Sequence, residues 1–428
     1  MILLPGSWIV LIALDDDFFE VFRMVKDDPH FHNKRPSPST GDVFVSFGED
    51  GYRVTRDVLE KIPFDFSLLE DKHVLIKPNA GRMVDPHLGI NVSPEVVAGV
   101  VDFLLDRGVR NLFVGESPIM GVKALEALEK SGISPLVRER AVPLVDLDAA
   151  DPLVIPIPSP KVIRELKVCR EAWNADFIIS VPVMKTHMHT QASLGIKNMK
   201  GCLYKREKVR LHQLPASEDA PPPAKPLDMA IADLAKILTP DLTVIDGIVG
   251  QEGLGPSAGS PKKLGAVVCS MNCLGADSVA AELMGIDPAS IHHLRLAFSE
   301  MREAGKILDQ FNVYPEDYKQ RSLPFAPPPE KISLEFENVR VEDRDSCSAC
   351  LSTVLMFLRR YYEDFADYFS ESSPLKLALG KGIGPQEEGT VLIGNCAAHR
   401  KAGCIFVKGC PPVASEILRA LEAAGKLK

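Results

Sequence analysis

Short apolar runs of strand length alternate with amphipathic helical stretches up to about residue 320. Val74-Leu75-Ile76 ends at Lys77-Pro78 and reads as a buried strand with its exit loop. A helix follows, with Ser93 as N-cap and Pro94 as first helical residue. Val96, Val97, Val100, Val101, Leu104 and Leu105 form its apolar face, and Gly108 stops it. Asn111 to Gly115 is the next strand, completing a strand–helix–strand unit. The alternation returns, with strands predicted at Asp176–Val183, Asp241–Asp246 and Leu264–Ser270 and helices at Leu227–Leu238 and Ala276–Met284. This predicts an α/β fold built on a mostly parallel sheet, with chemistry at the carboxyl ends of the strands. No internal repeat is visible.

Two proline-rich stretches interrupt the pattern. Leu214–Pro226 reads as an exposed excursion, and Leu323–Glu330 as a linker. The boundary therefore falls near residue 330, between a main α/β domain (1–330) and a smaller α/β domain (331–428) that carries a cysteine cluster. A length of 428 residues fits two or three domains at roughly 150 residues each. An apolar content of 46% with 25% charged residues excludes a disordered, collagen-like or coiled-coil chain. The net charge of −9 argues against a nucleic-acid partner, which requires a basic stripe. The longest uncharged apolar run, Met1–Leu14, is closed by Asp15-Asp16-Asp17. It is shorter than the roughly 20 residues of a membrane span, and it lacks the basic start and small-residue cleavage site of a signal peptide. It reads as a buried strand or helix of a cytoplasmic protein with no membrane partner.

The nine cysteines are an odd number and accompany no export signal, which argues against a disulfide framework. Five of them, Cys347, Cys350, Cys396, Cys404 and Cys410, fall in the last 82 residues. Cys347 and Cys350 form a C-x2-C pair before the periodic run Leu351–Leu358, at a helix N-terminus that favours metal-binding thiolates. Cys396 follows the strand Val391-Leu392-Ile393, and Cys410 precedes a proline-started helix running to about Ala424. Such spacing fits a four-iron cluster or a four-thiolate zinc site. The second close C-x2-C pair of a zinc ribbon is absent, so a [4Fe-4S] cluster on Cys347, Cys350, Cys396 and Cys410 is expected, with zinc as the alternative. Cys404 lies within the strand-like run Gly403–Val407 and reads as packing. The bland reading of all five is buried small hydrophobes.

A second cluster follows a strand. The segment Val181–Gly201 (VPVMKTHMHTQASLGIKNMKG) offers Lys185, His187, His189, Lys197, Asn198 and Lys200. Converging ammonium and imidazole donors suit a carboxylate or phosphate. A metal on His187-x-His189 would lack a carboxylate nearby in sequence, and a solvated loop would not need two histidines and three lysines beside a buried strand. Lys77-Pro78-Asn79 and Asp246-Gly247 occupy similar strand ends. Gly253-Leu254-Gly255-Pro256-Ser257 reads as a loop able to approach a ligand closely. Neither a Walker loop nor a dinucleotide fingerprint opens a helix, so ATP and NAD find no support. His292-His293 reads as helix capping or packing.

The motifs Val74–Asn79, Val183–His187, Gly195–Gly201 and Asp246-Gly247 with Gly253–Ser257 resemble, in order and spacing, the domain of unknown function 362 family. The resemblance covers roughly residues 70 to 300. It implies no reaction, since the family is named for lacking one, but many members carry iron–sulfur cysteines in ferredoxin-like C-terminal segments. Asn272 departs from the family's tendency to aspartate near that position. The absence of tandem C-x2-C-x2-C-x3-C-P runs implies a single cluster.

The expected protein is thus an iron–sulfur enzyme, an oxidoreductase or a lyase, acting on an anionic small molecule. Lys185, His187 and Lys197 are its candidate catalytic groups. Lys77, Asn79, His189, Asn198, Lys200 and Asp246 are candidates for binding the substrate. Four cysteine ligands would favour electron transfer with a protein partner. Three would leave an iron open as a Lewis acid. A non-catalytic iron–sulfur carrier or sensor and a zinc-stabilised binding module are the alternatives.

Overall fold

A computed structural model describes residues 41–214, 224–301, 311–328, 336–346 and 348–427. The run Met1–Leu14, Cys347, the middle of the Leu214–Pro226 excursion and the boundary near 330 lie outside the described residues. Everything below concerns the unit Pro38–Lys428.

Its main sheet has 11 strands. The first five in chain order are β1 (Val43–Phe47), β2 (Val74–Pro78), β3 (Leu112–Glu116), β4 (Leu144–Asp146) and β5 (Phe177–Val181). After β5 come β6 (Val183–His187), β7 (Gln191–Ser193), β8 (Leu242–Glu252), β9 (Ser260–Lys262), β10 (Ala266–Ser270) and β11 (Val313–Tyr314). The order is β11-β1-β10-β8-β5-β2-β3-β4, with β9 and β6 also paired to β8, and β7 to β6. Strands β8, β5, β2, β3 and β4 run parallel, whereas β10 is antiparallel to both β8 and β1. From β2 the chain builds outward through β3 and β4, then crosses back to lay β5 on the other side of β2. This reversal makes the carboxyl ends of β2 and β5 a topological switch point, where an open α/β sheet forms its crevice.

Every residue of β2, β3 and β5 is buried, as continuous apolar runs require when both sheet faces are covered. Val74, Ile76, Phe177, Ile179, Val244 and Val267 share one core with Val58 of α1 (Gly51–Glu60) and Val97 and Val101 of α2 (Pro94–Asp106). The alternate residues Leu75, Ile178, Ile245 and Val268 are equally buried and point to the other face. Helix α2 begins at Pro94 as expected, but the Ser93 side chain makes no capping bond. Its backbone N–H donates instead to Asp246 Oδ2 at 2.7 Å.

Further along come α3 (Gly195–Asn198), α4 (Glu207–His212), α5 (Pro226–Ile237), α6 (Cys273–Leu283) and α7 (His292–Met301). Asn272 N-caps α6, its Oδ1 accepting from the Gly275 N–H at 3.1 Å, so asparagine does there what aspartate would. His293 of α7 is buried 3.5 Å from Asp228 of α5, a packing role.

The cysteine-bearing region is a second, all-parallel sheet of β12 (Val339–Asp343), β13 (Leu375–Leu379), β14 (Val391–Ile393) and β15 (Ile405–Val407), in that order. Helices α8 (Ser348–Phe365) and α9 (Ala414–Ala423) cover one face, with Val354, Leu358, Ile417 and Leu421 packed on Leu377, Val391 and Ile393. The last helix starts at Ala414, a few residues after the prolines. Leu254 and Ala258 of the main sheet's loops share this core, with Met188 packed against it, so the smaller sheet sits directly on the segment carrying His187 and His189. The α/β class with a mostly parallel main sheet and a smaller C-terminal α/β region is as the sequence predicts.

Candidate functional site

Three hydrogen bonds, from two asparagines, fasten the switch point. The Asn79 N–H donates to the Val181 carbonyl at 2.9 Å. Asn198 Nδ2 donates to the Lys77 carbonyl at 3.1 Å and to Ser180 Oγ at 3.0 Å, bridging β2 and β5. Beyond Pro182, β6 carries the chain onward beside β8, then turns back through β7. The single turn of α3 follows, held by Asp277, whose two oxygens accept from the Gly195 and Ile196 N–H groups at 2.6 and 3.0 Å. This hairpin and turn return Lys197, Asn198 and Lys200 to Lys185 and His187, which is why one loop segment supplies so many groups.

Two of the expected binding residues belong to the framework beneath. Lys77 is fully buried, its Nζ 2.8 Å from Glu116 Oε1 and donating to the Pro78 carbonyl at 2.6 Å. Glu116 also accepts from the Ala80 and Ser117 N–H groups at 2.8 and 2.9 Å. Asp246 is likewise fully buried, and its oxygens accept from the Ser93 and Ile248 N–H groups at 2.7 and 2.9 Å. Burial raises its carboxyl above the usual range. In this structure both side chains are engaged with neighbouring chain segments.

The remaining groups form one cationic cluster. Lys185 Nζ donates to Asn79 Oδ1 at 2.6 Å and to the Ile90 carbonyl at 2.9 Å. Burial, with Arg82 beside it, pushes this ammonium down to about 7. Burial also brings Lys200 down to about 7, with Lys208 adding repulsion. Lys197 is held well below the lysine range by burial and by Lys200 and Lys185. Lys200 Nζ and His212 Nε2 share a hydrogen bond of 2.5 Å. His187 Nδ1 accepts from the His189 N–H at 3.1 Å, so its proton resides on Nε2. Burial and the neighbouring Lys197 keep this ring far below the usual histidine range. Burial and Lys225 lower His189 to about 3, and its Nε2 is buried with no hydrogen-bond partner. Two carboxylates lie nearby, Glu116 acting on Lys185 and Asp228 on Lys197 and His189, and neither outweighs the burial. Glu116 is taken by Lys77 and Asp228 faces His293. A set of desolvated, mutually repelling cations is stabilised by an anion between them.

Arg82, His212 and Lys208 were not legible as site residues, because they lie in loops and a short helix with no local motif. Glu116 carried a faint signal, as the last residue of a strand. The Gly253–Ser257 loop approaches the chain itself. A Cβ on Gly255 would lie 1.9 Å from the Thr186 carbonyl oxygen, and the Met188 N–H donates to the Gly255 carbonyl at 3.2 Å. Gly255→Ala is therefore expected to cost about 1–3 kcal/mol of stability through overpacking. Urea unfolding monitored by circular dichroism measures this, and an unchanged midpoint would show that the loop shifts freely.

The described cysteines of the expected cluster each lie in a segment that follows the carboxyl end of a strand in the smaller sheet. Cys350 is buried in the first turn of α8, Cys396 is exposed just after β14, and Cys410 is half-buried after β15. The Asn395 N–H donates to the Gly409 carbonyl at 2.8 Å, tying the last two loops together. A Cβ on Gly394 would come within 2.8 Å of Cys350 Sγ, so glycine is what lets the helix and the β14 loop close up. Among the described residues, no group of three or more His, Cys, Asp or Glu side chains is arranged to hold a metal ion. Cys347 lies outside them. Cys404 sits before β15, at the opposite edge, with its Sγ 3.7 Å from the Glu387 carbonyl. Gln213 Nε2 donates to Cys410 Sγ at 2.6 Å, and Gln213 directly follows His212 of the cationic cluster. The cysteine edge and the cationic cleft are thus neighbours.

Residues 74–282, which include the switch point and the Lys/His segment, match the model of the domain of unknown function (DUF362) family. The chain is 30% identical over 218 residues to the thylakoid-associated protein sll1697 of Synechocystis sp. (strain ATCC 27184 / PCC 6803 / Kazusa). That match spans 51% of this chain and 64% of the relative. The lactate racemase apoprotein from Thermoanaerobacterium thermosaccharolyticum is a looser likeness, with 15% identity, 58% of each chain covered and a TM-score of 0.38. Among the described residues, no helix is long and apolar enough to cross a membrane.

Proposed function

We propose that the protein is an enzyme acting on an anionic small molecule in the Lys/His cleft, with a [4Fe-4S] cluster on Cys347, Cys350, Cys396 and Cys410 beside it. The observation that carries the reading is the cluster of buried lysines and histidines at the switch point, one residue from a hydrogen bond to Cys410. Lys185, Lys200 and Arg82 supply positive charge to a carboxylate or phosphate, and His187 offers its Nε2–H as a donor. Lys197 stands among them as the group nearest chemical use. His189 and Asn198 complete the wall, and Asn79 holds Lys185 in place.

The cluster reading is supported by Cys350, Cys396 and Cys410, which follow carboxyl ends of strands in the smaller sheet, and by the glycine that lets the β14 loop approach Cys350. When bound, such a cluster supplies electrons, or a Lewis-acidic iron if one cysteine does not ligate. Four candidate ligands favour electron transfer, with a redox protein as partner. The proposal includes a cytoplasmic location, with no membrane or nucleic-acid partner.

Anaerobic purification followed by visible absorption and iron and sulfide assays tests the cluster. A brown protein with about four irons per chain, bleached by Cys347→Ala or Cys410→Ala, is the expected result. A colourless protein holding one zinc would replace the cluster with a structural metal and leave the cleft as the centre of chemistry.

A further inference from the structure

The lysines of the cleft differ in what their amines touch. Lys77 meets Glu116 and the Pro78 carbonyl, Lys185 meets Asn79 and the Ile90 carbonyl, and Lys200 meets His212. Lys197 is only 8% exposed, yet its Nζ has no hydrogen bond or ion pair among the described residues. A lysine kept for structure or for charge uses its three donors when buried. One buried without an acceptor, among other cations, has the surroundings that leave an amine with a free electron pair. The chain fixes its place firmly, since α3 is anchored to Asp277 at Gly195 and Ile196, and Asn198 is bonded across β2 and β5.

We propose that Lys197 is a nucleophile that forms an imine with the carbonyl carbon of a small oxo-carboxylate, whose carboxylate is held by the surrounding cations. This rests on the anion-binding cleft proposed above and narrows its substrate to an anion bearing an aldehyde or ketone. Nζ adds to the carbonyl carbon, the carbon–oxygen bond breaks, and the oxygen leaves as water with the two amine protons. No oxidant or reductant is consumed. The cations nearby favour the step twice: they orient the carboxylate, and they disfavour protonation of the attacking amine.

The test treats the anaerobically purified full-length protein at pH 7 with pyruvate or glyoxylate, followed by borohydride reduction and peptide mass mapping. An exposed lysine of pKa about 10.4 is almost wholly protonated at this pH, so labelling at Lys197 is expected to exceed that of any exposed lysine by at least about tenfold. Denatured protein treated alike should lose the preference. Equal labelling of all lysines, or a dominant adduct on Lys185 or Lys200, would overturn the assignment. Mapping is done on the unaltered chain, so the result does not depend on a variant folding, and Lys197→Arg serves as a secondary control. Sulfate, which has no carbonyl, separates the two claims. If sulfate raises the melting temperature but no adduct forms at Lys197, the imine fails and the cleft stands. If neither occurs, the cleft reading fails as well.

Discussion

Replacing Lys77 by methionine is expected to destabilise the protein by about 3–5 kcal/mol, the usual cost of removing one partner of a buried ion pair. Glu116 would be left 2% exposed, with its charge facing only the Ala80 and Ser117 N–H groups. Those two segments are the exit loops of β2 and β3, so the damage should spread to the switch point itself. The double variant Lys77→Met/Glu116→Gln is expected to recover a large part of the loss, because it removes the orphaned charge. Urea unfolding of the two single variants and the double variant measures the coupling. A Lys77→Met protein of unchanged stability would mean that Lys77 is not a framework residue and would return it to the cleft.

The pairing of Lys77 with Glu116 is one that the sequence alone does not reveal. A lysine at the end of an apolar strand has the same local pattern whether it faces a ligand or a carboxylate, and Glu116 lies on another strand. The same holds for Asp246, whose partner at Ser93 reaches it only when α2 is laid against β8. What could be read was set by local periodicity and caps. The β2–α2–β3 unit, the strand over 177–181 and the helix from Pro226 follow from apolar spacing and from Pro94 and Gly108. The Lys/His segment was legible because hairpin and turn keep its members close in sequence as well as in space. His212 and Lys208 were hidden because they share one short helix without a motif, and Arg82 because it lies in a loop, so topology alone brings them to the segment. The sequence marked Gly253–Ser257 as a close-approach loop, and the approach is real, but its target is the Thr186 carbonyl.

The framework and the cleft should answer to pH in opposite ways from a simple ion pair. Burial places Lys185 and Lys200 at about 7, below the ordinary lysine value of 10.5 that the unfolded chain retains. Between those values the unfolded chain binds more protons, so the unliganded protein should gain stability as pH rises from 7 towards 10. Anion binding runs the other way. An anion prefers both ammoniums protonated, so its affinity should be greatest below pH 7. Above that, it should fall by up to about tenfold per pH unit for each lysine that must take up a proton. Sulfate is the suitable probe, because its own charge is constant over this range. Calorimetric titration from pH 6 to 9 at fixed ionic strength is expected to show proton uptake on binding and a loss of affinity steeper than one lysine gives. Lys185→Met should remove one proton from that linkage and weaken binding, while leaving the unliganded protein as stable as before or more so at pH 6, since a buried cation without a carboxylate has been replaced by an apolar chain. Sulfate affinity independent of pH would mean that these lysines keep their protons throughout, and the cleft would then be a surface of ordinary ammoniums instead of a desolvated anion site.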